Sequence, residues 1–315
     1  MFHKGMYIIW PDELYIDQAV KAGIDTLLVN LNDGTPRSET ERLCRKYHDQ
    51  GVTVVPTVAL VQPNYALEDD EQFFDGTNRI PHYYCPTSSE RIDKLLSVPL
   101  HLCKSWAANA VGIDDEDYVP GMKYHENYTQ YPCQCQRCKT LSVDQQRSMH
   151  ADMIRQALGE IPLYHMPHIN PYIWRIGSVW CNEHTYEKWG AYDRVLKNTR
   201  KMKKKTISTR NISGVWAEKF SAHRYLDRLK SIVTSPATDG YWIYSHMRFS
   251  RNSLWRTHPE TPEAIETLKS LPYQSLIDEE MPAFFEELRA LNRRVDKYRS
   301  GAWFWILDKL YGFFK

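Results

Sequence analysis

Short apolar strands alternate with capped amphipathic helices along most of this chain, and that alternation limits the folds open to it. A strand predicted over residues 5–10 is followed by a helix that Pro11 and Asp12 open and Gly23 closes. Buried strands separated by helices pair in parallel, with right-handed crossovers. The pattern therefore predicts an α/β protein with a parallel sheet. Further strands are predicted over residues 24–33, 52–60, 110–114, 161–169, 213–220 and 239–247.

The number of strand–helix units selects among α/β folds. Seven strands are predicted directly. Residues 171–205 show no clear strand, and we infer an eighth strand near residues 190–210. Eight units in a chain of 315 residues fit a (β/α)8 TIM barrel, a single domain with long loops after its strands. The sequence has no G-x-G-x-x-G motif after its first strand and no G-x-x-x-x-G-K-[ST] motif, which counts against a nucleotide-binding doubly wound sheet.

The end of the chain differs in character from the rest. Its last residues, SGAWFWILDKLYGFFK, repeat apolar side chains at helical spacing. We expect residues 1–299 to form the barrel and residues 300–315 to form an amphipathic aromatic C-terminal helix. Docking on the barrel or on a second subunit is the default expectation for this helix, and a weak membrane-surface contact is the alternative.

Acidic side chains follow two of the predicted strands, at the end where such a barrel carries its active site. Glu218 lies near the end of the strand predicted from VWAEKF. Within AVGIDDEDYVPG, a short apolar run ends in four consecutive acids, Asp114, Asp115, Glu116 and Asp117. Crowded negative charge raises the pKa of at least one carboxyl. One protonated and one ionised carboxyl are what cleavage of a glycosidic bond requires.

We therefore predict Asp115 or Glu116 as the general acid/base and Glu218 as the nucleophile or second carboxylate. A solvated acidic turn or a helix cap is the alternative for the four acids, and a salt bridge is the alternative for Glu218. If the acids only hydrogen-bond hydroxyls, the chain is a non-catalytic carbohydrate-binding barrel. If acids and histidines hold a catalytic ion, it is a metal-dependent hydrolase on the same barrel.

Aromatic side chains are abundant in this chain, with ten Trp and twenty Tyr. Their flat apolar faces and polar edges suit stacking against sugar rings, although large barrels also use aromatic residues as core packing. Polar and aromatic side chains at or near the predicted strand ends are the expected substrate contacts. They are Trp10, Asp33, Asp114, Asp117, His165, His168, Trp216, Trp242 and Tyr244.

Four of the seven cysteines lie in two short motifs. CQCQRC supplies Cys133, Cys135 and Cys138, and YYCPTS supplies Cys85. Tetrahedral ligation of a structural zinc ion by these four would join the loops after the third and fourth predicted strands. A disulfide between Cys85 and one of the other three, or free thiols, are the alternatives. No organic cofactor is expected.

The motifs quoted above give the chain a likeness to a known superfamily. GIDDEDY and VWAEKF stand where glycoside-hydrolase-type (β/α)8 barrels carry an acid/base after strand four and a carboxylate nucleophile after strand seven. The chain resembles that superfamily in layout over residues 5–290, with the usual Asn-Glu pair replaced by two acids. YPCQCQRCK and the upstream YCPTSSERIDKLL are similar to uncharacterised glycosidase-like barrels with a C-x-C-x-x-C loop after strand four. The resemblance implies a glycosidase with an oligo- or polysaccharide substrate.

Charge and hydropathy count against other partners. The formal net charge is +1, with 40 Lys and Arg against 39 Asp and Glu, so no overall field attracts nucleic acid. No segment reaches the run of about 20 apolar residues that a membrane span needs. The first residues, MFHKGMYIIWPDE, do not match a signal peptide. We expect a cytoplasmic protein, or a secreted one if a leader has been removed.

Overall fold

The computed structural model describes residues 2–8, 12–31, 37–59, 72–115, 133–167, 178–182, 210–216, 229, 232–236, 238–244, 278–279 and 281–313. Within them the chain is an α/β fold in which parallel strands alternate with helices. The chain divides into two compact units. Unit 1 comprises residues 1–29, 49–53 and 181–315, and unit 2 comprises residues 30–48 and 54–180.

Ten strands and six helices have bounds within the described residues. The strands are β1 (His3–Ile8), β2 (Thr26–Asn30), β3 (Thr53–Ala59), β4 (Gln72–Phe74), β5 (Arg79–Tyr84), β6 (Val111–Asp115), β7 (Leu163–Pro167), β8 (Val179–Asn182), β9 (Arg210–Trp216) and β10 (Gly240–Tyr244). The helices are α1 (Glu13–Lys21), α2 (Arg37–Asp49), α3 (Ser89–Lys104), α4 (Val143–Leu158), α5 (Met281–Arg299) and α6 (Ala302–Phe313).

The helix ends follow from local side-chain chemistry. Asp12 caps α1, where its side chain accepts a hydrogen bond from the backbone N–H of Tyr15 at 3.2 Å. Gly23 follows α1 with a φ of +93°, a conformation that glycine adopts without steric cost. Ser142 and Gln145 form a reciprocal capping box at the start of α4. The predicted boundaries of α1 are confirmed to within a few residues.

Unit 1 contains a four-stranded parallel sheet in the order β2, β1, β10, β9. Alternation along the strands sets its two faces. Tyr241 lies on the face covered by α5, since its hydroxyl donates to Asn292 Oδ1 at 2.6 Å. Trp242 therefore lies on the opposite face, where its register partners are Gly5 and Gly214. Two flanking glycines leave room beside the indole that larger side chains would fill.

The helix α5 packs on the face of this sheet that carries Tyr241, and it also contacts α1 and the residue that follows it. Asn292 Nδ2 donates to the carbonyl of Ala22 at 2.8 Å. The rings of Tyr15 and Phe285 meet edge to face, with centroids 5.3 Å apart. All four residues are buried, so the contact combines apolar area with paired polar groups.

Unit 2 contains a second parallel sheet, in the order β3, β6, β7, β8. One of its faces packs against α3 and α4 through one buried cluster, to which Val111, Ile113, Leu163, Ile92, Leu96 and Ile154 belong. Gly112 lies on the other face of β6, against the side chain of Thr57 on β3. A Cβ on Gly112 would overlap the hydroxyl oxygen of Thr57, so this position requires glycine.

Two strand predictions are corrected by the structure. The strand β7 pairs with β8, Val179–Asn182, whereas the eighth strand was predicted near residues 190–210. Residues 183–209 lie outside the described ranges. A four-residue strand is too short to show a clear period in the sequence.

The second correction concerns residues 72–84, where no strand was predicted and the structure has the antiparallel hairpin of β4 and β5. Asp75 forms the turn of this hairpin, accepting hydrogen bonds from the backbone N–H groups of Thr77 and Asn78 at 2.7 Å each.

The helix α6 packs on the end of α5 through one side chain. Phe304 is 7% exposed, its ring lies 5.5 Å from that of Tyr298, and the guanidinium of Arg299 lies 4.1 Å from its centroid. Trp303 and Trp305 are 64% and 62% exposed. Among the described residues, no helix combines the length and the hydropathy needed to cross a bilayer.

Candidate functional site

Asp114 stands near the carboxyl end of β6, a strand with a parallel neighbour on each side. Its register partners are Ala59 on β3 and Met166 on β7. Alternation places Asp114 on the same face as Gly112 and opposite Ile113, which packs under the helices. The sheet thus directs this partly buried acid away from α3 and α4.

His165 lies beside Ile113 in the register of β6 and β7. It is 1% exposed, and it shares its strand face with Leu163, which belongs to the buried cluster under α3 and α4. Asp114 and His165 therefore leave opposite faces of the sheet. The predicted substrate contact of His165 is not supported by this burial.

Trp242 is fully buried in unit 1. The centroid of its ring lies 6.0 Å from that of Tyr7. A Cβ placed on Gly5 would lie 3.0 Å from the Cβ of Trp242. A close approach on one side and a ring contact on the other make Trp242 part of the core packing. Its predicted sugar contact stays a prediction that the burial does not support.

Most of the other predicted site residues lie outside the described ranges. They are Trp10, Asp33, Glu116, Asp117, His168 and Glu218. For three more, the structure describes the strand position alone. Asp115 ends β6, while Trp216 ends β9 and Tyr244 ends β10, and these last two are register partners. All three stand at the carboxyl ends of parallel strands, the end at which the sequence predicted the site.

A buried group of four cysteines forms in unit 2. The ligand atoms of Cys85, Cys133, Cys135 and Cys138 all lie within 4.8 Å of one another. Cys85 Sγ lies 3.5 Å from Cys135 Sγ and 3.4 Å from Cys138 Sγ. The structure thus brings together the four cysteines predicted from two separate motifs, as a group that could hold a metal ion. A disulfide requires an S–S distance of about 2.05 Å, and these four are free cysteines.

Polar neighbours fix the cysteine segment onto α4. Gln146 accepts a hydrogen bond from the backbone N–H of Cys133 at 2.9 Å and donates to its carbonyl at 3.0 Å. The same amide donates to the carbonyl of Cys138 at 3.3 Å. One turn further along α4, His150 lies 3.1 Å from the carbonyl of Pro86, beside Cys85. A single helix face therefore contacts both cysteine motifs.

The thiols in this group differ in acidity. Hydrogen bonds from the side chains of Cys133 and Cys138 hold the pKa of Cys85 well below its usual range. The neighbouring thiols of Cys133 and Cys85, together with burial, raise the pKa of Cys138. A thiol with a lowered pKa beside a thiol with a raised pKa is the pattern expected when neighbouring thiols share protons. Replacing those protons with a cation would ionise the remaining thiols.

Three further cysteines, Cys44 on α2, Cys103 on α3 and Cys181 on β8, lie outside this group. Burial raises the pKa of Cys44 to about 12 and that of Cys103 to about 11. Cys44 and Cys181 are buried.

Sequence reasoning missed the residues around the cysteines. Thr87 lies 3.0 Å from Cys138 Sγ and 3.3 Å from Cys85 Sγ through its hydroxyl oxygen, and only its position two residues after Cys85 could have indicated this. Gln146 is 3% exposed on α4. Its helical spacing from Ile154 and Leu158, on the buried side of α4, was the available indication for that second contact.

Comparison with known proteins identifies relatives in fold alone. No protein-family model matches the chain, and no curated protein matches it. A cycloalternan-degrading enzyme from Trueperella pyogenes matches with a TM-score of 0.50 and 11% identity, over 94% of this chain and 49% of that one. An α-amylase from Malbranchea cinnamomea matches with a TM-score of 0.52 and 10% identity, over 95% of this chain and 77% of that one.

The catalytic domain of the β-amylase from Paenibacillus polymyxa matches over nearly its whole length. Its TM-score is 0.50 with 7% identity, over 86% of this chain and 99% of that one. By contrast, this chain spans about half the length of the cycloalternan-degrading enzyme. The structural neighbours are glycoside hydrolases with a TIM-barrel-like fold, and at these identities the likeness concerns the fold.

Proposed function

We propose that the chain is a glycoside hydrolase, or a closely related carbohydrate-active enzyme, that acts on an oligo- or polysaccharide. The observation that carries this proposal is the position of Asp114, a partly buried acid near the carboxyl end of β6 and on the face away from the helices. Barrel enzymes hold their reacting groups at the carboxyl ends of their strands. The likeness in fold to two amylases supports the same conclusion.

The proposal includes closure of the parallel strands into a (β/α)8 barrel over residues 1–299, with residues 300–315 as an appended helix. Eight of the described strands pair in parallel with a neighbour, namely β1, β2, β3, β6, β7, β8, β9 and β10. In a closed barrel the carboxyl ends of all strands meet at one mouth. Asp115, Trp216 and Tyr244 each end one of these strands and would converge there.

The proposed chemistry divides two roles between carboxyl groups. Asp115 or Glu116 donates a proton to the glycosidic oxygen as its bond to the anomeric carbon breaks. Glu218 either attacks that carbon or removes a proton from the water that attacks it. If Glu218 attacks, the first acid then acts as a base and activates the water that releases the sugar. Both routes consume one water and require no organic cofactor.

Asp114 is proposed to act beside these groups. Its negative charge near the strand end would raise the pKa of a neighbouring carboxyl and keep that group protonated until it donates. Hydrogen bonds from sugar hydroxyls to Asp114 would orient the ring. The remaining proposed sugar contacts are Trp10, Asp33, Asp117, His168, Trp216 and Tyr244.

The test is hydrolysis of a panel of chromogenic glycosides and natural oligosaccharides by the wild-type chain and by Glu218→Gln. We expect turnover of at least one substrate and a loss of about 10²–10⁴-fold in the variant, the range for removing an acid/base group. Glu286→Gln, an exposed change on α5, is the matched control. Full turnover by Glu218→Gln would contradict the carboxylate pair, and sugar binding without turnover would indicate a binding barrel.

A further inference from the structure

We propose that Cys85, Cys133, Cys135 and Cys138 bind one Zn²⁺ ion as a closed structural site in unit 2, with Gln146 as its positioning residue. The inference is independent of the proposed glycosidase activity, because none of these residues belongs to the predicted catalytic set. It rests on the geometry of the four sulfur atoms, on the segments that they join and on the polar groups around them.

The spacing of the sulfur atoms fits tetrahedral zinc. Zn–S bonds of about 2.3 Å in a tetrahedron place the sulfur atoms about 3.8 Å apart. The distances from Cys85 Sγ to Cys135 Sγ and Cys138 Sγ are 3.5 and 3.4 Å, and all four ligand atoms lie within 4.8 Å of one another. Small shifts of the thiols toward equal spacing would accommodate one ion. Disulfide formation would instead require two sulfur atoms to approach by more than an ångström.

The ligand set favours a structural ion over a catalytic one. Four protein ligands complete the coordination of tetrahedral zinc and leave no position for water or substrate. Cys85, Cys133 and Cys138 are fully buried and Cys135 is 8% exposed, so solvent has little access to an ion among them. A buried ion with a full thiolate set holds chain segments together.

The segments that meet at the cysteines are distant in sequence. Cys85 directly follows β5 and precedes α3, whereas the other three lie just before α4. The backbone N–H of Gln134 donates to the carbonyl of Phe74 on β4 at 2.7 Å. Arg137 lies 3.3 Å from the hydroxyl of Ser88, the N-cap residue of α3. An ion at the cysteines would therefore fasten the hairpin and the starts of two helices at one point.

Gln146 is the positioning residue because it holds the ligand segment without contributing a sulfur. Its amide bonds both backbone groups of Cys133 and the carbonyl of Cys138. Removing these contacts frees the ligand backbone but keeps all four thiols. Changes to such supporting groups typically weaken metal binding by 10–100-fold.

The first experiment measures metal content in the full chain. Elemental analysis of wild-type protein purified without chelator should find one zinc per chain, and the zinc should be absent from Cys85→Ser. Cys44→Ser, a buried cysteine on α2, is the matched control and should keep its zinc. Wild-type protein without zinc, or iron in its place with the visible absorption of an iron–thiolate site, would overturn the inference.

The second experiment remains informative if Cys85→Ser fails to fold. Cobalt-substituted wild-type protein should show the visible bands of tetrahedral Co²⁺ together with thiolate charge-transfer bands, and zinc should displace them. Gln146→Leu should release zinc to a competing chelator at 10–100-fold lower chelator concentration than wild type, and Gln156→Leu, an exposed change on the same helix, should not. Equal zinc retention by both glutamine variants would remove the positioning role. Zinc content is read without any substrate, so a failed glycosidase screen leaves this result intact.

Discussion

Gly112 on β6 lies directly against the side chain of Thr57 on β3, and a Cβ on Gly112 would overlap the threonine hydroxyl oxygen. The Thr57 hydroxyl is itself held in place, because it donates to the carbonyl of Val55 at 3.1 Å. Neither side of this contact can give way easily, so the spacing of β3 and β6 depends on the absence of a side chain at residue 112.

Gly112→Ala should therefore destabilise the protein. Overpacking of a closely packed interior costs about 1–3 kcal/mol, and we expect a loss in that range in the free energy of unfolding measured with urea. The Gly112→Ala/Thr57→Ala double variant should lose less than the sum of the two single variants, because Thr57→Ala removes the atoms that the new Cβ meets. Additive losses would show that the overlap is relieved elsewhere.

The face on which Asp114 lies gives a prediction for activity. On a substrate found by the glycoside screen, Asp114→Asn should lower kcat/KM by at least about tenfold, the effect of about 1.4 kcal/mol in the transition state. The loss follows from removing the charge that holds a neighbouring carboxyl protonated. The alkaline limb of the pH–rate profile should also move to lower pH, because the proton donor would lose its proton at a lower pH without the charge beside it.

Asp152→Asn, an exposed change on α4, is the matched control for Asp114→Asn. Its kcat/KM and pH profile should equal those of the wild type. An Asp114→Asn enzyme with wild-type rates at every pH would exclude Asp114 from the site. The proposed roles of Glu116 and Glu218 would be decided by substitutions of those residues.

The buried hydrogen bonds of Asn292 predict a stability effect in unit 1. Asn292→Ala leaves the Tyr241 hydroxyl and the Ala22 carbonyl without their present partner. Each buried polar group left unpaired costs about 1–3 kcal/mol, so we expect a total loss of about 3 kcal/mol in the free energy of unfolding. Tyr241→Phe removes one of the two bonds and should cost about half as much. A smaller loss for Asn292→Ala than for Tyr241→Phe would contradict this assignment.

Asp25 predicts a pH dependence of stability. Its carboxylate accepts hydrogen bonds from the backbone N–H of Lys4 and the hydroxyl of Thr26, both at 2.9 Å. Burial nevertheless raises its pKa above the usual value. The folded state therefore holds the Asp25 proton more tightly than the unfolded state does. The contribution of this group to stability is fully present below its unfolded pKa and is lost as pH rises through its folded pKa.

Asp25→Asn should show the opposite trend relative to wild type. The asparagine keeps an oxygen acceptor but cannot ionise, so its stability relative to wild type should increase as pH rises through the folded pKa of Asp25. Urea unfolding at several pH values, with Asp152→Asn as an exposed control, measures the difference. A stability difference that is constant with pH would show that Asp25 does not titrate in this range.

The order of elements could be predicted from the sequence where helices are long and capped. Pro11 and Asp12 marked the start of α1 and Gly23 marked its end, and the structure has Asp12 as the N-cap residue. β8 was missed because four residues carry too little alternation, and the β4–β5 hairpin was missed because its strands are interrupted by polar residues. A local sequence pattern therefore does not identify short strands, because such strands are defined by the strands with which they pair.

The candidate sites differed in how far the sequence could define them. Cys85 was grouped with the C-x-C-x-x-C cysteines on residue type, and the structure brings all four together. The face of the sheet on which Asp114 lies could not be predicted from four consecutive acids. The sequence does not show where the strand ends, and side chains alternate between faces only within the strand. The face follows only once Ile113 is seen under the helices. Gln146 was missed because side chain–backbone contacts between distant segments leave no periodic trace.

The division of the chain into units has a consequence for its synthesis on the ribosome. Unit 2 occupies residues 30–48 and 54–180, whereas unit 1 combines residues 1–29 and 49–53 with residues 181–315. β1 pairs with β10, as in the register of His3 with Gly240. During translation the nascent β1 therefore presents an unpaired edge until most of the polypeptide has emerged. Exposed strand edges template aggregation, so chaperone protection over this interval should raise the yield of native protein.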